Sequence, residues 1–223
     1  MIEWGKIETV LLDMDGTLLD KHFDDYCWEH FVPEIYATKN GLSEREARKK
    51  LLDTYRAKEG TLDWTDLDYW SEQLDLDIPA LKIKIDHLIQ VHPYVIDFLE
   101  FLKESRKPTF LVTNAHSKTL DIKMAKTSLS GYFTGIVCAA EIGMAKEDPA
   151  FWEGLKQKID FDPKTTMLAD DTEKVLLSAR EYGIKHLIFV ARPSSQSPIK
   201  VSEAFQSIVY FNELLPPRPP LPS

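Results

Sequence analysis

The segment Thr9-Val10-Leu11-Leu12-Asp13-Met14-Asp15-Gly16-Thr17 decides the fold and points to the chemistry of the chain. Its apolar half predicts a buried strand, and two carboxylates follow where that strand ends. Asp13 can attack phosphorus and form an acyl phosphate, while Asp15 can protonate a leaving group and later deprotonate water. Gly16 permits a tight turn that brings backbone N–H groups close to a phosphoryl group. A surface turn, in which Asp and Gly are common, is the alternative for this segment taken alone.

Similar apolar runs recur along the chain and predict a parallel sheet. They are Thr9–Leu12, Thr109–Val112, Gly135–Ala139, Thr166–Ala169 and His186–Val190, with a sixth candidate at Ser207–Phe211. Helical patterns separate the later runs, as is typical of βαβ units. The polar residues that follow four of the runs are Asp13, Thr113-Asn114, Glu141 and Asp170-Asp171. Because ligands bind outside the carboxyl ends of parallel strands, we expect these residues to converge on one site.

The segment from Leu19 to Val91 interrupts this pattern with helical signals alone. Amphipathic periodicity predicts helices at Ser43–Tyr55 and Leu67–Leu74. Ser43 followed by Glu46 fits a capping box, which marks a helix start. The predicted fold is therefore α/β, with a Rossmann-like parallel sheet core and an inserted all-helical cap. The predicted units are the core in residues 1–18 and 92–215, the cap in residues 19–91 and an extended Pro-rich tail in residues 216–223.

Composition and charge exclude several classes of protein. Apolar residues make up 43% and charged residues 28% of the 223 positions, as in globular proteins that bury a core. The net charge of -9 argues against a nucleic-acid binder, which usually carries a basic patch. We find no secretory signal and no run of ~18 apolar residues, so we expect a cytoplasmic protein that does not contact membranes. Cys27 and Cys138 lack metal-ligand spacing and are expected to be reduced thiols.

Two further signals can contribute to phosphate binding. The hydroxyl of Thr113 and the N–H of Asn114 can donate to phosphoryl oxygens, although a polar strand end that caps the next helix is the alternative. Lys146 can neutralise charge shared between a nucleophile and a phosphoryl group, although most lysines are solvated surface residues. Each signal is weak by itself, and its position after a predicted strand gives it weight.

Asp170 and Asp171 are the last signal. Adjacent carboxylates at a strand end repel each other unless a cation is close. Mg²⁺ prefers oxygen ligands and takes one or two carboxylates with phosphate and water, which matches Asp13, the carbonyl of Asp15 and one member of the pair. The alternative is a cap for a predicted helix over Thr172–Gly183, and it can hold for one of the two.

In this order, the four signals resemble the four motifs of the haloacid dehalogenase superfamily of phosphatases. Asp13-x-Asp15-Gly16-Thr17 resembles the first motif, Thr113 the second, Lys146 the third and Asp170-Asp171 the fourth. Residues 19–91 occupy the place of the helical cap of subgroup I. The resemblance implies an Mg²⁺-dependent phosphohydrolase that forms an aspartyl phosphate on Asp13.

The resemblance also ranks the metal ligands and narrows the chemistry. It aligns Asp171, which precedes Thr172, with the metal-binding aspartate and leaves Asp170 as an additional ligand or a neighbour of the ligands. Glu147 stands where relatives often have proline, so the third motif departs slightly from the pattern. Asp15 favours phosphate transfer, since the dehalogenases of the superfamily lack this second aspartate.

The substrate is indicated by the cap. Its aromatic residues are Phe23, Tyr26, Trp28, Phe31, Tyr36, Tyr55, Trp64, Tyr69 and Trp70. Such rings can stack on a base, and Trp28 and Trp70 are the first candidates, although aromatic residues usually pack inward in a helical domain. The segments Leu11–Asp20, Lys39-Asn40-Gly41, Leu67–Leu74, Leu76-Asp77-Ile78, Thr113–His116 and Lys146-Glu147-Asp148 resemble bacterial GMP/IMP nucleotidases of this superfamily.

This resemblance implies hydrolysis of purine 5'-monophosphates, with His116 either near the phosphate or orienting its loop. A sugar-phosphate or phosphoglycolate-type phosphatase, or a phosphomutase, remains the alternative on the same core. A non-catalytic module and a nucleic-acid phosphatase are less favoured. We expect the partner to be a small phosphate monoester and the protein to be a monomer or a weak homodimer.

Overall fold

A six-stranded parallel sheet organises the core. The computed structural model describes residues 2–217, in which the strand order is β3-β2-β1-β4-β5-β6. The strands are β1 (Thr9–Leu12), β2 (Thr109–Thr113), β3 (Gly135–Cys138), β4 (Thr166–Asp170), β5 (His186–Val190) and β6 (Gln206–Ile208). The first five lie within one residue of the predicted runs. The sixth is shorter than predicted, because Phe211 instead begins a 3₁₀ turn, Phe211–Leu214.

Helices and one π-helical turn fill the inserted segment. The helices are α1 (His22–Tyr26), α2 (Val32–Asn40), α3 (Glu44–Arg56), α4 (Leu67–Leu74) and α5 (Ile78–Lys84), and the π-helical turn spans Cys27–Phe31. The predicted capping box is present: the N–H of Glu46 donates to Ser43 Oγ over 3.3 Å, and the N–H of Ser43 donates to Glu46 Oε2 over 3.1 Å. The predicted helix at Leu67–Leu74 is confirmed at both ends.

The remaining helices cover the two faces of the sheet. They are α6 (Val95–Glu104), α7 (Ser117–Thr127), α8 (Pro149–Lys158) and α9 (Glu173–Tyr182). Val10 and Leu12 of β1 pack into the apolar cluster under α6 and α7, while Leu11 packs under α8 and α9. Both faces of β1 are therefore buried, which explains why its sequence is a continuous apolar run rather than an alternating one. No helix within residues 2–217 has the length and apolar character needed to cross a bilayer.

The inserted segment leaves and rejoins the core through a paired ribbon. Leu19 and Val91 form an antiparallel bridge. On either side of it, the N–H of Asp20 donates to the carbonyl of Gln90, and the N–H of His92 donates to the carbonyl of Leu18. The predicted boundaries of the cap fall within this ribbon, and we propose residues 19–91 as the cap unit. Residues 218–223 of the predicted tail lie outside the described residues.

Candidate active site

Side chains from three neighbouring strands and one loop meet at the carboxyl edge of the sheet. Asp13 directly follows β1, Thr113 ends β2 and Asp170 ends β4. Lys146 comes from the loop before α8, and its side chain is 2% exposed. Its Nζ donates to Asp13 Oδ1 over 2.5 Å, to Asp170 Oδ2 over 2.7 Å and to the carbonyl of Val112 over 3.1 Å. The surface-lysine alternative is therefore wrong for Lys146.

Asn114 holds the loop that carries this lysine. Its Oδ1 accepts from the backbone N–H of Lys146 over 2.9 Å, and its Nδ2 donates to Glu147 Oε2 over 2.9 Å. Glu147, the residue that departs from the motif, thus fastens the loop to the end of β2. The predicted phosphate contact of Asn114 concerned its backbone N–H and stays a prediction. Its side chain positions Lys146.

Asp13, Asp170 and Asp171 form a cluster that fits a divalent cation. One carboxylate oxygen from each lies within 4.8 Å of the other two. Burial raises the pKa of Asp13 to about 7, that of Asp171 to about 7 and that of Asp170 to about 6, and mutual repulsion of the carboxylates adds to the effect. Clustered anionic oxygens with an excess of negative charge are the donor set that Mg²⁺ prefers, so the residues present fit the expected cofactor.

The two adjacent aspartates are not equivalent. Both oxygens of Asp170 are engaged, one by Lys146 and the other by the N–H of Thr172 over 2.8 Å. Asp171 accepts only from the hydroxyl of Thr172, over 3.3 Å, among the described residues. Asp171 therefore has more capacity left for a metal ion than Asp170, in agreement with the expected ranking.

Gly16 packs its backbone against this cluster. Its φ of +85° lies in the left-handed region, and a Cβ placed there would lie 2.5 Å from Asp171 Oδ2. Any side chain at this position would displace the carboxylate. The backbone of the first motif can therefore approach Asp171 of the fourth motif closely because residue 16 has no side chain.

Asp15 begins a chain of ion pairs that leads away from the cluster. Lys123 of α7 donates to Asp15 Oδ1 and, over 2.5 Å, to Asp24 of α1. Lys82 of α5 donates to the other oxygen of Asp24 over 2.7 Å. Burial alone would raise the pKa of Asp24, but the two ammonium groups overcome this effect and hold it well below its usual range. We call Asp15, Lys123, Asp24 and Lys82 the ion-pair chain.

A cavity of about 700 Å³ lies between the cluster and the cap. Its core wall includes Asp15, Thr113 and Asp171, and its cap wall includes Trp28 and Trp70. All the predicted site residues apart from the deeper Asp13, Lys146 and Asp170 thus border one cavity. The arrangement can bind a phosphoryl group beside Asp13 and enclose the group attached to it.

A family model described as haloacid dehalogenase-like hydrolase matches residues 7–183. The chain belongs to this family. The GMP/IMP nucleotidase YrfG of Escherichia coli is 37% identical over 215 residues, which cover 96% of this chain and 97% of the relative. A phosphorylated carbohydrates phosphatase of Thermotoga maritima is 20% identical and covers 94% of this chain and 97% of its own. The chain is thus a phosphoric monoester hydrolase of the haloacid dehalogenase-like family.

Solved structures of the family share the fold. The crystal structure of a HAD phosphatase from Thermococcus onnurineus matches with a TM-score of 0.77 at 23% identity, over 93% of this chain and 96% of that chain. The predicted α/β architecture of the hydrolase is confirmed.

The two aromatic candidates occupy different positions in this hydrolase. Trp28 is half-buried, whereas Trp70 is 1% exposed and its indole N–H donates to the carbonyl of Trp64 over 3.0 Å. Trp70 also packs edge-on against Tyr55, with ring centroids 4.9 Å apart. Trp70 therefore belongs mainly to the aromatic core of the cap, and Trp28 offers more surface to a ligand.

The prediction that Glu141 lies at the site with the other residues that follow strands is wrong. Glu141 is exposed and closes the turn after β3: it accepts from the N–H of Cys138 over 2.9 Å and pairs with Lys158 over 3.2 Å. The strand ends three residues before Glu141, so the carboxylate points back over the turn instead of into the site.

His116 borders the cavity, and its two expected roles, near the phosphate or orienting the loop, both stay predictions. It is the N-cap residue of α7, and its Nε2 lies 3.5 Å from Asp66 Oδ1 in the cap. Sequence patterns missed Lys21, which borders the cavity near Asp171. Burial lowers the pKa of Lys21, but the carboxylates of Asp171 and Asp25 raise it above its usual value overall. No motif marks this lysine, whose only signal is its closeness to the first motif.

Proposed function

We propose that this phosphatase hydrolyses purine 5'-monophosphates such as GMP and IMP, through an aspartyl phosphate on Asp13. The observation that carries the proposal is the position of Asp13: Lys146 holds it beside Asp171, which lines a cavity whose other wall is the aromatic cap. The 37% identity to a GMP/IMP nucleotidase over nearly the whole chain supports the choice of leaving group.

In the first half-reaction, a carboxylate oxygen of Asp13 attacks phosphorus and the bond from phosphorus to the ester oxygen breaks. Lys146 keeps Asp13 oriented and spreads its charge, while Thr113 donates a hydroxyl to the phosphoryl group. Asp15 gives its proton to the departing alkoxide, which leaves as the nucleoside alcohol. Burial raises the pKa of Asp15, which favours the protonated form that this step requires.

In the second half-reaction, Asp15 accepts a proton from a water molecule that attacks the acyl phosphate. The bond between phosphorus and the Asp13 oxygen breaks, which releases inorganic phosphate and restores both aspartates. Mg²⁺ held by Asp13, Asp171 and the backbone carbonyl of Asp15 would neutralise charge on the phosphoryl oxygens.

The residues of the cap that line the cavity support a purine as the nucleobase of the leaving nucleoside. The cavity of about 700 Å³ lies in the usual range for small-molecule sites. The half-buried ring of Trp28 offers a flat apolar surface for stacking, and Arg48 on the same wall carries N–H donors. Guanine and hypoxanthine each present two acceptors, N7 and O6, on one edge, and a guanidinium can engage both together.

A sugar-phosphate phosphatase is the second candidate, favoured by the relative from Thermotoga maritima. A phosphate-release panel separates the two: GMP, IMP, AMP, CMP, UMP, ribose 5-phosphate and phosphoglycolate, each with Mg²⁺ and with EDTA. The proposal expects GMP and IMP to lead in kcat/KM and EDTA to remove activity. Equal kcat/KM for ribose 5-phosphate or phosphoglycolate would favour the second candidate and keep the phosphatase chemistry.

A further inference from the structure

The ion-pair chain joins four separate elements of the fold. Asp15 follows β1, Asp24 lies in α1, Lys82 lies in α5 of the cap and Lys123 lies in α7 of the core. The side chains of Lys82 and Lys123 are each 1% exposed, and those of Asp24 and Asp15 are 18% and 24% exposed. Asp15, Asp24 and Lys82 border the cavity, and Lys123 is buried beside them. The ion-pair chain therefore lies along the boundary between the core and the cap.

Burial of four charged side chains costs desolvation free energy. The alternation of carboxylates and ammonium groups along the ion-pair chain offsets part of that cost. Each lysine lies between or beside carboxylates, and the two positive and two negative charges cancel while Asp15 is ionised. An apolar set of similar volume would often stabilise a fold equally well, so stability alone does not explain a buried network of this kind. A network whose partners are all satisfied does fix one arrangement of its members.

The first consequence concerns the orientation of Asp15. Lys123 engages Oδ1, and Oδ2 of Asp15 has no hydrogen-bond partner within residues 2–217. Since Lys123 is itself held by Asp24, the carboxylate of Asp15 is fixed on one side. Its other oxygen is left for the leaving group and for water.

The second consequence concerns the cap. The Nζ of Lys82 lies 4.8 Å from the ring centroid of Phe23 and 5.5 Å from that of Trp28. Trp28 borders the cavity. The ring offered to the base and the carboxylate offered to the leaving oxygen are therefore the two ends of one contiguous set of contacts.

We infer that Lys123 of the core and Asp24 of the cap are positioning residues for the acid–base step at Asp15, and that Lys82 of the cap supports Asp24 in this role. Lys123 of the core holds Asp15 and Asp24 together, and Lys82 supports Asp24 by engaging its other oxygen. This inference rests on the proposed function, because it assumes that Asp15 serves the leaving group.

The dependence on the leaving group provides the test. A nucleotide must be protonated as it leaves, whereas p-nitrophenolate leaves as a stable anion, so only the first substrate needs the acid in the phosphorylation step. The experiment measures steady-state hydrolysis of GMP and the pre-steady-state burst of p-nitrophenolate with Mg²⁺. The variants are Lys123→Met, Asp24→Asn and Lys82→Met, with Asp15→Asn as the reference.

We expect Lys123→Met and Asp24→Asn to lower kcat for GMP by about 10–100-fold with less than about a threefold change in KM, while the burst rate changes by less than about threefold. Lys82→Met should give the same pattern at about a third to a tenth of the effect, because Lys123 still reaches both carboxylates. The control is Lys107→Met. That lysine donates to the carbonyls of Trp4 and Ile7, outside the site, so it should leave the ratio of the two rates unchanged.

The outcomes below separate the positioning role from the proposed acid–base mechanism and from the purine substrate. All rates are measured at a temperature at which melting curves show every variant folded. A parallel loss on both substrates in Lys123→Met and Asp24→Asn, or wild-type rates on both, overturns the positioning role. An Asp15→Asn variant without the leaving-group split overturns the proposed acid–base mechanism and the inference with it. If wild-type protein does not prefer nucleotides, only the purine proposal fails, and ribose 5-phosphate replaces GMP because its leaving oxygen is also an alkoxide.

Discussion

Lys146 bridges Asp13 and Asp170, with its Nζ 2.5 Å from one carboxylate and 2.7 Å from the other. The two aspartates stand at the ends of neighbouring strands, and the lysine arrives from a different loop. One buried ammonium thus orients the nucleophile and compensates part of the charge that burial would otherwise disfavour. The buried carboxylate of Asp13 lies beside Asp171, which lines the cavity.

We predict that Asp13→Asn lowers phosphate release by at least about 100-fold and leaves the protein folded. The amide keeps the shape of the side chain and an acceptor for Lys146, but it is not an anionic nucleophile. Phosphate release and a melting curve check both parts. Asp160→Asn is the control, because Asp160 is exposed and precedes the amino end of β4, whereas the cluster lies at the carboxyl end. Retention of Mg²⁺-dependent turnover by Asp13→Asn protein would sink the covalent mechanism.

We predict that Asp15→Asn protein accumulates phosphoenzyme on a substrate with a good leaving group. Phosphorylation can then proceed without the acid, whereas hydrolysis of the acyl phosphate lacks its base and slows by about 100-fold or more. Intact-protein mass spectrometry after a short incubation detects the trapped species, and Asp13→Asn/Asp15→Asn protein should show none. An unchanged steady-state rate would mean that Asp15 has another role.

We predict that Asp171→Ala raises the half-saturating Mg²⁺ concentration more than Asp170→Ala does, by about tenfold. Asp170 already spends both oxygens on Lys146 and Thr172, whereas Asp171 has one oxygen without a partner among the described residues. Activity as a function of Mg²⁺ concentration gives the comparison. The opposite ranking would show that the fourth motif is misaligned by one residue.

We predict that Trp28→Ala reduces discrimination between GMP and ribose 5-phosphate by about tenfold in kcat/KM, since stacking is worth about 1–3 kcal/mol per base. Trp70→Ala should act mainly on stability, with a cost of about 3–5 kcal/mol, because its ring is buried and hydrogen-bonded. The pair forms its own control. Equal discrimination in wild-type and Trp28→Ala protein would remove Trp28 from the substrate contacts.

We predict that the stability contributed by Asp24 depends on pH. Its folded pKa lies below the ordinary value of 3.8, so the contribution is fully present well above that value and is lost as the pH falls below it. Asp24→Asn should lower the Tm by about 6–12 °C at neutral pH, from a loss of about 3 kcal/mol. Melting curves of wild-type and variant protein should approach each other below about pH 4. A constant difference down to pH 3 would contradict the assignment.

The strand ends of the site could be predicted because the signals are local. Asp13 and Asp170 each follow a buried apolar run, and the parallel order of the sheet brings them together without further information. Glu141 has the same local signal and was wrongly included. The turn after β3 folds its carboxylate back onto Cys138, a tertiary detail that periodicity does not contain.

The ion-pair chain could not be predicted because its partners are remote in sequence. Lys123 shares its helix with Lys118 and Lys126, and spacing does not tell the three apart. The other two pair at the surface with Asp68 and Asp86, whereas Lys123 reaches carboxylates about 100 residues away. The burial of Trp70 was likewise decided by neighbours in the folded cap. The sequence pattern of an amphipathic helix does not show whether an aromatic ring packs in the protein interior or stacks on a ligand.

The bridge between Leu19 and Val91 places the two connections of the cap side by side. In a simple hairpin, a short turn would close such a pair, whereas here residues 20–90, 71 in number, take the place of that turn. The length of the inserted segment therefore need not affect the arrangement of the core strands. Under the proposed function, changes in the inserted segment can alter selectivity for the leaving group without shifting the strand that carries Asp13.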